Sequence, residues 1–156
     1  MSEETPARKS TLYILSAPSG GGKSSLARAL VDRVEDTVIS VSHTTRPQRT
    51  GEAHGVDYFF VDQPEFEQMI KDDGFLEYAR VFDHWYGTSR KAVEQAIVQD
   101  RSVMLDIDWQ GARQVRRAFP GAVSVYILPP SVEALAQRLA DRGRDTPDEI
   151  ASRLSE

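Results

Sequence analysis

The chain contains no cysteine among its 156 residues, which removes disulfides, thiolate metal sites and thiol nucleophiles together. That absence suits a reducing cytosol, so the expected location is cytoplasmic. Long apolar runs are missing as well, and none approaches the length of a membrane span. Residues 1–10 are polar and of mixed charge, without the apolar centre of a signal peptide, and read as a disordered N-terminal tail. Basic runs are also absent. The net charge is −5 with acids and bases interspersed, which argues against a nucleic-acid polymer as partner. The histidines His43, His54 and His84 are scattered without metal-ligand spacing and read as polar surface, and no Ser-His-Asp arrangement is discernible. No internal repeat or low-complexity segment appears. What remains is 40% hydrophobic residues in a chain long enough for one domain with a core.

One stretch carries most of the chemistry. Thr11–Leu15 is a short β-favouring run, and Leu26, Ala27, Leu30, Val31 and Val34 recur at helical spacing. Between them lies Ser16-Ala17-Pro18-Ser19-Gly20-Gly21-Gly22-Lys23-Ser24-Ser25. A strand, a Gly-rich turn and Gly-Lys-Ser opening a helix form a phosphate-binding loop for a nucleoside triphosphate. Backbone N–H groups wrap the anion, and the helix N-terminus adds positive potential. The Lys23 ammonium meets the outer phosphates, and the Ser24 hydroxyl ligates Mg²⁺. Ala17 stands where the pattern asks for its first glycine, a departure tolerable only if that position needs no positive φ. The rival reading is a flexible glycine linker that happens to precede a lysine.

The rest of the chain alternates strands with helices. Val38–Ser42 reads as a second strand, and a polar, turn-rich stretch runs from His43 to Gly55 before Tyr58–Val61 returns to strand character. Asp62-Gln63-Pro64-Glu65 has a capping-box form, with Phe66, Met69 and Ile70 on one face and Gly74 as the stop. Phe75–Phe82 is extended, Trp85–Thr88 forms an aromatic turn, and Ser89 opens a helix carrying Val93, Ala96 and Ile97 inward. Val103–Asp108 is a buried-type strand ending in acids, followed by a helix from about Trp109 to Arg117. Val123–Leu128 is the next strand, Ser131 caps a helix bearing Val132, Leu135 and Leu139, and Thr146-Pro147-Asp148-Glu149 starts another. This order predicts an α/β fold: a mostly parallel sheet with helices on both faces. The closely spaced strands from about Ser42 to Thr88 read as an inserted α+β lobe facing the phosphate loop.

An acidic protein that handles phosphates must concentrate its positive charge locally. Asp106 and Asp108 end a strand where α/β folds place ligands, so either could hold Mg²⁺ through water or accept a proton from a base edge. Alternatively, Asp108 simply caps the following helix. Arg46 and Arg49 sit in an exposed loop, either as solvated charges or as forks for a second phosphate. Arg138, Arg142, Arg144 and Arg153 form a third cluster, with Gly143 as a hinge. A mobile arginine-rich cover suits phosphoryl transfer and excludes water, although some of these side chains would be ordinary solvated charge. Trp85 and Trp109 read as packing residues.

Seven segments in order resemble the guanylate kinase family, in its bacterial wording, from Thr11 to Glu156. They are residues 16–25, Ser-Val-Ser-His-Thr-Thr-Arg-Pro (40–47), Arg-Thr-Gly-Glu (49–52), Gly-Val-Asp-Tyr-Phe-Phe (55–60), Tyr-Gly-Thr-Ser (86–89), Leu-Asp-Ile-Asp-Trp-Gln-Gly-Ala (105–112) and Leu-Pro-Pro-Ser (128–131). The resemblance implies a P-loop NTPase-type fold and transfer of the γ-phosphoryl of ATP to GMP or dGMP with Mg²⁺, in purine nucleotide metabolism and GMP recycling. It implies ATP contacts from Ala17, Pro18, Ser19, Gly20, Gly21, Gly22, Lys23, Ser24 and Ser25. Ser42, Arg46, Arg49, Tyr58 and Tyr86 would hold the GMP phosphate and help seat the base. Glu77, Thr88 and Asp106 or Asp108 would read guanine, and Ser24 and Asp106 would serve the metal. Lys23, Arg46, Arg138, Arg142 and Arg153 would stabilise the transferring phosphoryl group.

The implied organisation is a core of residues 11–41 and 89–137, a GMP-binding lobe of 42–88 and a lid of about 138–153. The family continues beyond the position of Glu156, so a C-terminally truncated domain with weakened stability and activity is expected. Another P-loop kinase of small metabolites, or a non-catalytic guanylate-kinase-like binding module, are the alternatives.

Overall fold

The computed structural model describes residues 9–18, 22–143 and 145–155. Ser19, Gly20 and Gly21 of the loop, Arg144 of the basic cluster, Glu156 and the first eight residues lie outside the described residues. In chain order the elements are β1 (Leu12–Ser16), α1 (Lys23–Val31), β2 (Thr37–Ile39), β3 (His43–Thr44), β4 (Phe59–Phe60) and α2 (Gln63–Lys71). Then come β5 (Phe75–Val81), β6 (His84–Ser89), α3 (Arg90–Val98), β7 (Ser102–Asp106), α4 (Trp109–Ala118), β8 (Val123–Tyr126), α5 (Val132–Asp141) and α6 (Pro147–Leu154).

The strands form two sheets. The first is parallel, in the order β2-β7-β1-β8. Its period-two alternation splits the core between its faces. Leu12 and Ile14 of β1, with Val103 and Leu105 of β7, pack with Val93 of α3 and Ala112 and Val115 of α4. Leu15 and Met104 point the other way, onto Ala27 and Leu30 of α1. The chain is thus an α/β fold whose parallel sheet has helices on both faces. β8 forms one edge, with Val123 45%, Val125 45% and Tyr126 56% exposed.

The second sheet, β4-β3-β6-β5, is built from residues between His43 and Ser89. Phe66 of α2 stacks on Phe75 of β5 at 4.5 Å and on Trp85 of β6 at 6.0 Å. Two glutamines of α4 fasten this sheet to the core. Gln114 accepts from Tyr78 N–H (3.2 Å) and donates to Tyr78 C=O (2.7 Å), and Gln110 donates to Arg80 C=O (3.2 Å). Among the described residues no helix is long and apolar enough to cross a membrane.

Several expectations need correction. The alternation at Val38–Ser42 is not one strand: β2 ends at Ile39, and the chain crosses to the other sheet before β3 begins. Trp85–Thr88 is not a turn but the middle of β6, and the reversal is the Phe82-Asp83 pair, with Phe82 at φ 53°. Gly74 does not terminate α2. Asp73 takes the left-handed position (φ 52°), while Asp73 and Gly74 N–H donate to Ile70 and Met69 carbonyls in a Schellman arrangement. Val34, although in helical spacing with α1, lies past its end; Leu26 (39%) and Val132 (64%) are exposed while their helical neighbours Ala27 and Leu135 are buried.

Candidate active site

Gly22 is the N-cap of α1 with φ 80°, a left-handed conformation that a glycine adopts without steric cost. Among the described residues no side chain caps this helix start, which leaves its first N–H groups without a side-chain partner there. Ala17 is not among the residues with positive φ, so its β-carbon costs the loop nothing. Beyond the loop, Asp106 at the end of β7 ties the next two residues together. Its Oδ1 lies 3.2 Å from Lys23 Nζ, and its Oδ2 accepts from Ser24 Oγ at 2.7 Å. Lysine, hydroxyl and carboxylate therefore meet at one point above the sheet. Among the described residues no cluster of three or more Asp, Glu or His side chains is placed to hold a metal by itself.

Two cavities open from this point. The larger, of about 600 Å³, runs from Ala17, Pro18 and Gly22–Ser25 to the 46–58 loop and Tyr86. Among the described residues, six basic side chains (Lys23, Arg28, Arg46, Arg49, Arg142 and Arg153) line it against two acidic ones, Glu52 and Asp57. An acidic chain has thus gathered positive charge where an anion would sit. Arg28 of α1 also reaches Asp57 at 2.6 Å, joining the loop to the helix. The second cavity, of about 260 Å³, is lined by Ser42, Glu77, Phe82, Tyr86, Asp108 and Trp109 among others. Both share Ala17, Pro18, Lys23, Tyr58, Tyr86 and Arg153, so the two adjoin as neighbouring halves of one chamber.

Glu77 is the unusual group of the second cavity. It lies on β5, only 4% exposed, and accepts from Thr88 Oγ1 at 2.6 Å. Burial pushes its carboxyl up to about 7, the Thr88 bond opposes this, and Asp108 nearby adds to it. Thr88 itself is fully buried on β6 and lines neither cavity. Tyr58 is pushed up to about 12 by burial and by the Asp106 charge, so it remains a neutral hydroxyl at ordinary pH.

Arg46 is not a solvated loop charge. It is 8% exposed, donates to Glu52 through both terminal nitrogens (2.8 and 3.1 Å) and to Pro47 C=O (2.8 Å), and lies 5.3 Å from the centre of the Tyr58 ring. Arg49 is exposed, and its backbone N–H also donates to Glu52 at 2.8 Å. Glu52 was invisible as an organiser because nothing local marks it.

The structure gathers most of the candidate residues into the chamber. Asp108 caps α4, accepting from Gly111 N–H at 3.0 Å, and also lines the second cavity. Arg138 lines neither cavity and is exposed on α5, whereas Arg142 and Arg153 face the larger one. Trp85 packs as expected, but Trp109 is 58% exposed and lines the second cavity. His43 is not polar surface: it stacks on Phe59 at 4.8 Å and meets Phe75 edge-on. Burial, with His54 nearby, lowers its pKa, and its Nδ1 is buried without a partner among the described residues. No local signal gives Gly111, Phe82 and Gln110 their places here, because their importance lies in what they touch across the fold.

The guanylate kinase family model matches residues 9–156. The guanylate kinase of Methylococcus capsulatus is 58% identical over 143 residues, covering 92% of this chain and 70% of the relative. That of Chromohalobacter salexigens is 58% identical over 149 residues, with 96% and 69% covered. The crystal structure of guanylate kinase from Anaplasma phagocytophilum superposes with a TM-score of 0.73 at 35% identity, covering 96% of this chain and 72% of that one. A phosphate loop, a buried carboxylate and an arginine-lined chamber, in a chain matched this far along its length, have one reading: the chain belongs to the guanylate kinase family.

Proposed function

We propose that the chain transfers the γ-phosphoryl group of ATP to GMP or dGMP, giving ADP and GDP or dGDP, in purine nucleotide metabolism and GMP recycling in the cytoplasm. The observation that carries this reading is Glu77, a carboxylate 4% exposed in the cavity next to Lys23. Guanine presents N1–H and N2–H₂ donors, which such a carboxylate pairs with. Adenine offers a lone pair at N1, leaving the buried carboxylate against an acceptor, and rejection by an unpaired polar group is large.

The remaining residues fall into place around the two nucleotides. Residues 17–25 cradle the ATP phosphates, with Lys23 at the outer ones. Ser42, Arg46, Arg49, Tyr58 and Tyr86 hold the GMP phosphate, and Thr88 and Asp108 support Glu77 in reading the base. Arg142 and Arg153 attend the transferring group, with Arg138 joining them only if α5 turns toward the chamber. The donor set suits Mg²⁺, because the Ser24 hydroxyl and Asp106 carboxylate are hard oxygens and this ion takes few protein ligands alongside substrate phosphates. When bound, it supplies neutralisation of charge on the β- and γ-phosphates.

No general base is required. The acceptor is a phosphate with a second pKa of about 6, largely anionic at neutral pH. The barrier is repulsion between two anions, which preorganised arginines relieve. In this reading residues 11–41 and 89–137 are the core, 42–88 the acceptor lobe and about 138–153 the lid. A coupled ADP-release assay with GMP, dGMP, AMP, UMP, CMP and a sugar phosphate tests it. GMP is expected to be the best acceptor, and a better rate with AMP or the sugar phosphate would overturn it.

A further inference from the structure

Phe82 occupies the first position of the tight turn between β5 and β6 with φ 53°. Hairpins favour glycine at a positive φ there, and a bulky aromatic residue is strained by it. The side chain is also 43% exposed, so core packing does not explain why a phenylalanine holds this place. Its ring instead meets Arg153 of α6, whose Cζ lies 4.8 Å from the ring centre. Arg153 also donates to Asp145 at 3.2 Å, and that carboxylate is 7% exposed. Both Phe82 and Arg153 line the second cavity, and Arg153 lines the larger one as well.

We infer that Phe82 is a positioning residue: its ring and the Asp145 carboxylate hold the Arg153 guanidinium at the mouth of the chamber, tying α6 to the tip of the β5–β6 hairpin. The strained turn is retained because a glycine there would fit the backbone but lose the ring. The ring face attracts the delocalised cation, while Asp145 fixes its direction. The hairpin that carries Glu77 at one end thus carries the rest for Arg153 at the other, so acceptor side and lid move as one. This inference rests on the reading of Arg153 as a ligand of the transferring phosphoryl group.

The test combines Phe82→Gly, Phe82→Trp and Arg153→Met in the full chain. Glycine relieves the backbone strain, so Phe82→Gly is expected to melt no lower than the parent while amide exchange across residues 145–155 speeds up about two- to fivefold. Phe82→Trp is expected to restore slow exchange, and in an Arg153→Met background Phe82→Gly is expected to add nothing. With ATP and GMP, Phe82→Gly is expected to lower kcat with KM for GMP unchanged. Unchanged exchange in Phe82→Gly, or faster exchange of equal size in the Arg153→Met background, would overturn the contact. Faster exchange with undiminished kcat would leave the contact standing and overturn the phosphoryl role of Arg153.

Discussion

The carboxylate of Glu77 rests against the Cα of Gly111, where any β-carbon would overlap Oε2 and come within 2.9 Å of Cδ. Gly111 sits in the first turn of α4, and its N–H is held by Asp108. The helix therefore supplies a flat wall, and the acid occupies space that only a missing side chain leaves open.

Substituting Gly111→Ala should displace that carboxylate while leaving the phosphate loop untouched. Losing hydrogen bonds to a charged group is worth about 1.5–3 kcal/mol, so GMP affinity is expected to fall roughly 10- to 100-fold. ATP affinity should stay within about twofold. Calorimetry with each nucleotide separately checks this, and equal losses for both would rule it out.

The raised pKa of Glu77 gives GMP binding a pH signature. With its folded value near 7 against 4.5, this group contributes stability below pH 4.5 that is lost as pH rises toward 7. Guanine donors favour the ionised form, so binding pulls the pKa down and releases a proton. Affinity is expected to rise with pH through this window and level off above about 7. Glu77→Gln should retain only the slope due to the GMP phosphate itself, whose second pKa is about 6. Titrations in buffers of different ionisation enthalpy count the proton.

Asp106 anchors Lys23 and Ser24 at once. Asp106→Asn should free both, lowering kcat by about 10²- to 10³-fold, as loss of a preorganised charge partner does. The Mg²⁺ concentration for half-maximal rate should rise about 10- to 100-fold. A magnesium titration at saturating ATP and GMP measures this. An unaltered magnesium requirement would place the metal away from Asp106.

Removing the Glu52 charge should unsettle the 46–58 loop. Its carboxylate pairs with Arg46, with side chains 9% and 12% exposed, and also receives Arg49 N–H. Although burial works to raise the Glu52 pKa, the Arg46 and Arg49 bonds hold it below the ordinary value. Glu52→Gln is expected to cost about 1–3 kcal/mol, lowering Tm by about 3–10 °C. Thermal unfolding at neutral pH reads this directly.

Local chemistry was legible and distant chemistry was not. The β1–loop–α1 unit could be read because strand, glycines and Lys23 are contiguous, and the Ser89, Ser131 and Thr146 caps announce themselves for the same reason. Residue patterning alone does not mark Glu77 or Thr88; only the family resemblance does, and Glu77 lies outside its seven segments. Trp85–Thr88 looked like a turn because the true reversal, Phe82-Asp83, contains no glycine or asparagine to mark it. His43 looked exposed because its neighbours Phe59 and Phe75 arrive from other strands. The pairing of Gly111 with Glu77 spans two elements, and neither residue's neighbourhood hints at the other.

The glutamines of α4 have a consequence for solubility. β5 is an edge strand, and the outward groups of such a strand invite a second chain to add itself. Here Gln114 occupies both backbone groups of Tyr78, and Gln110 takes the carbonyl of Arg80 one pleat further on. Side-chain amides stand in for the neighbour strand, at alternate residues as a strand would. An incoming chain would have to break three hydrogen bonds before making its own, so this edge is closed to sheet-to-sheet aggregation by the helix that also shapes the Glu77 pocket.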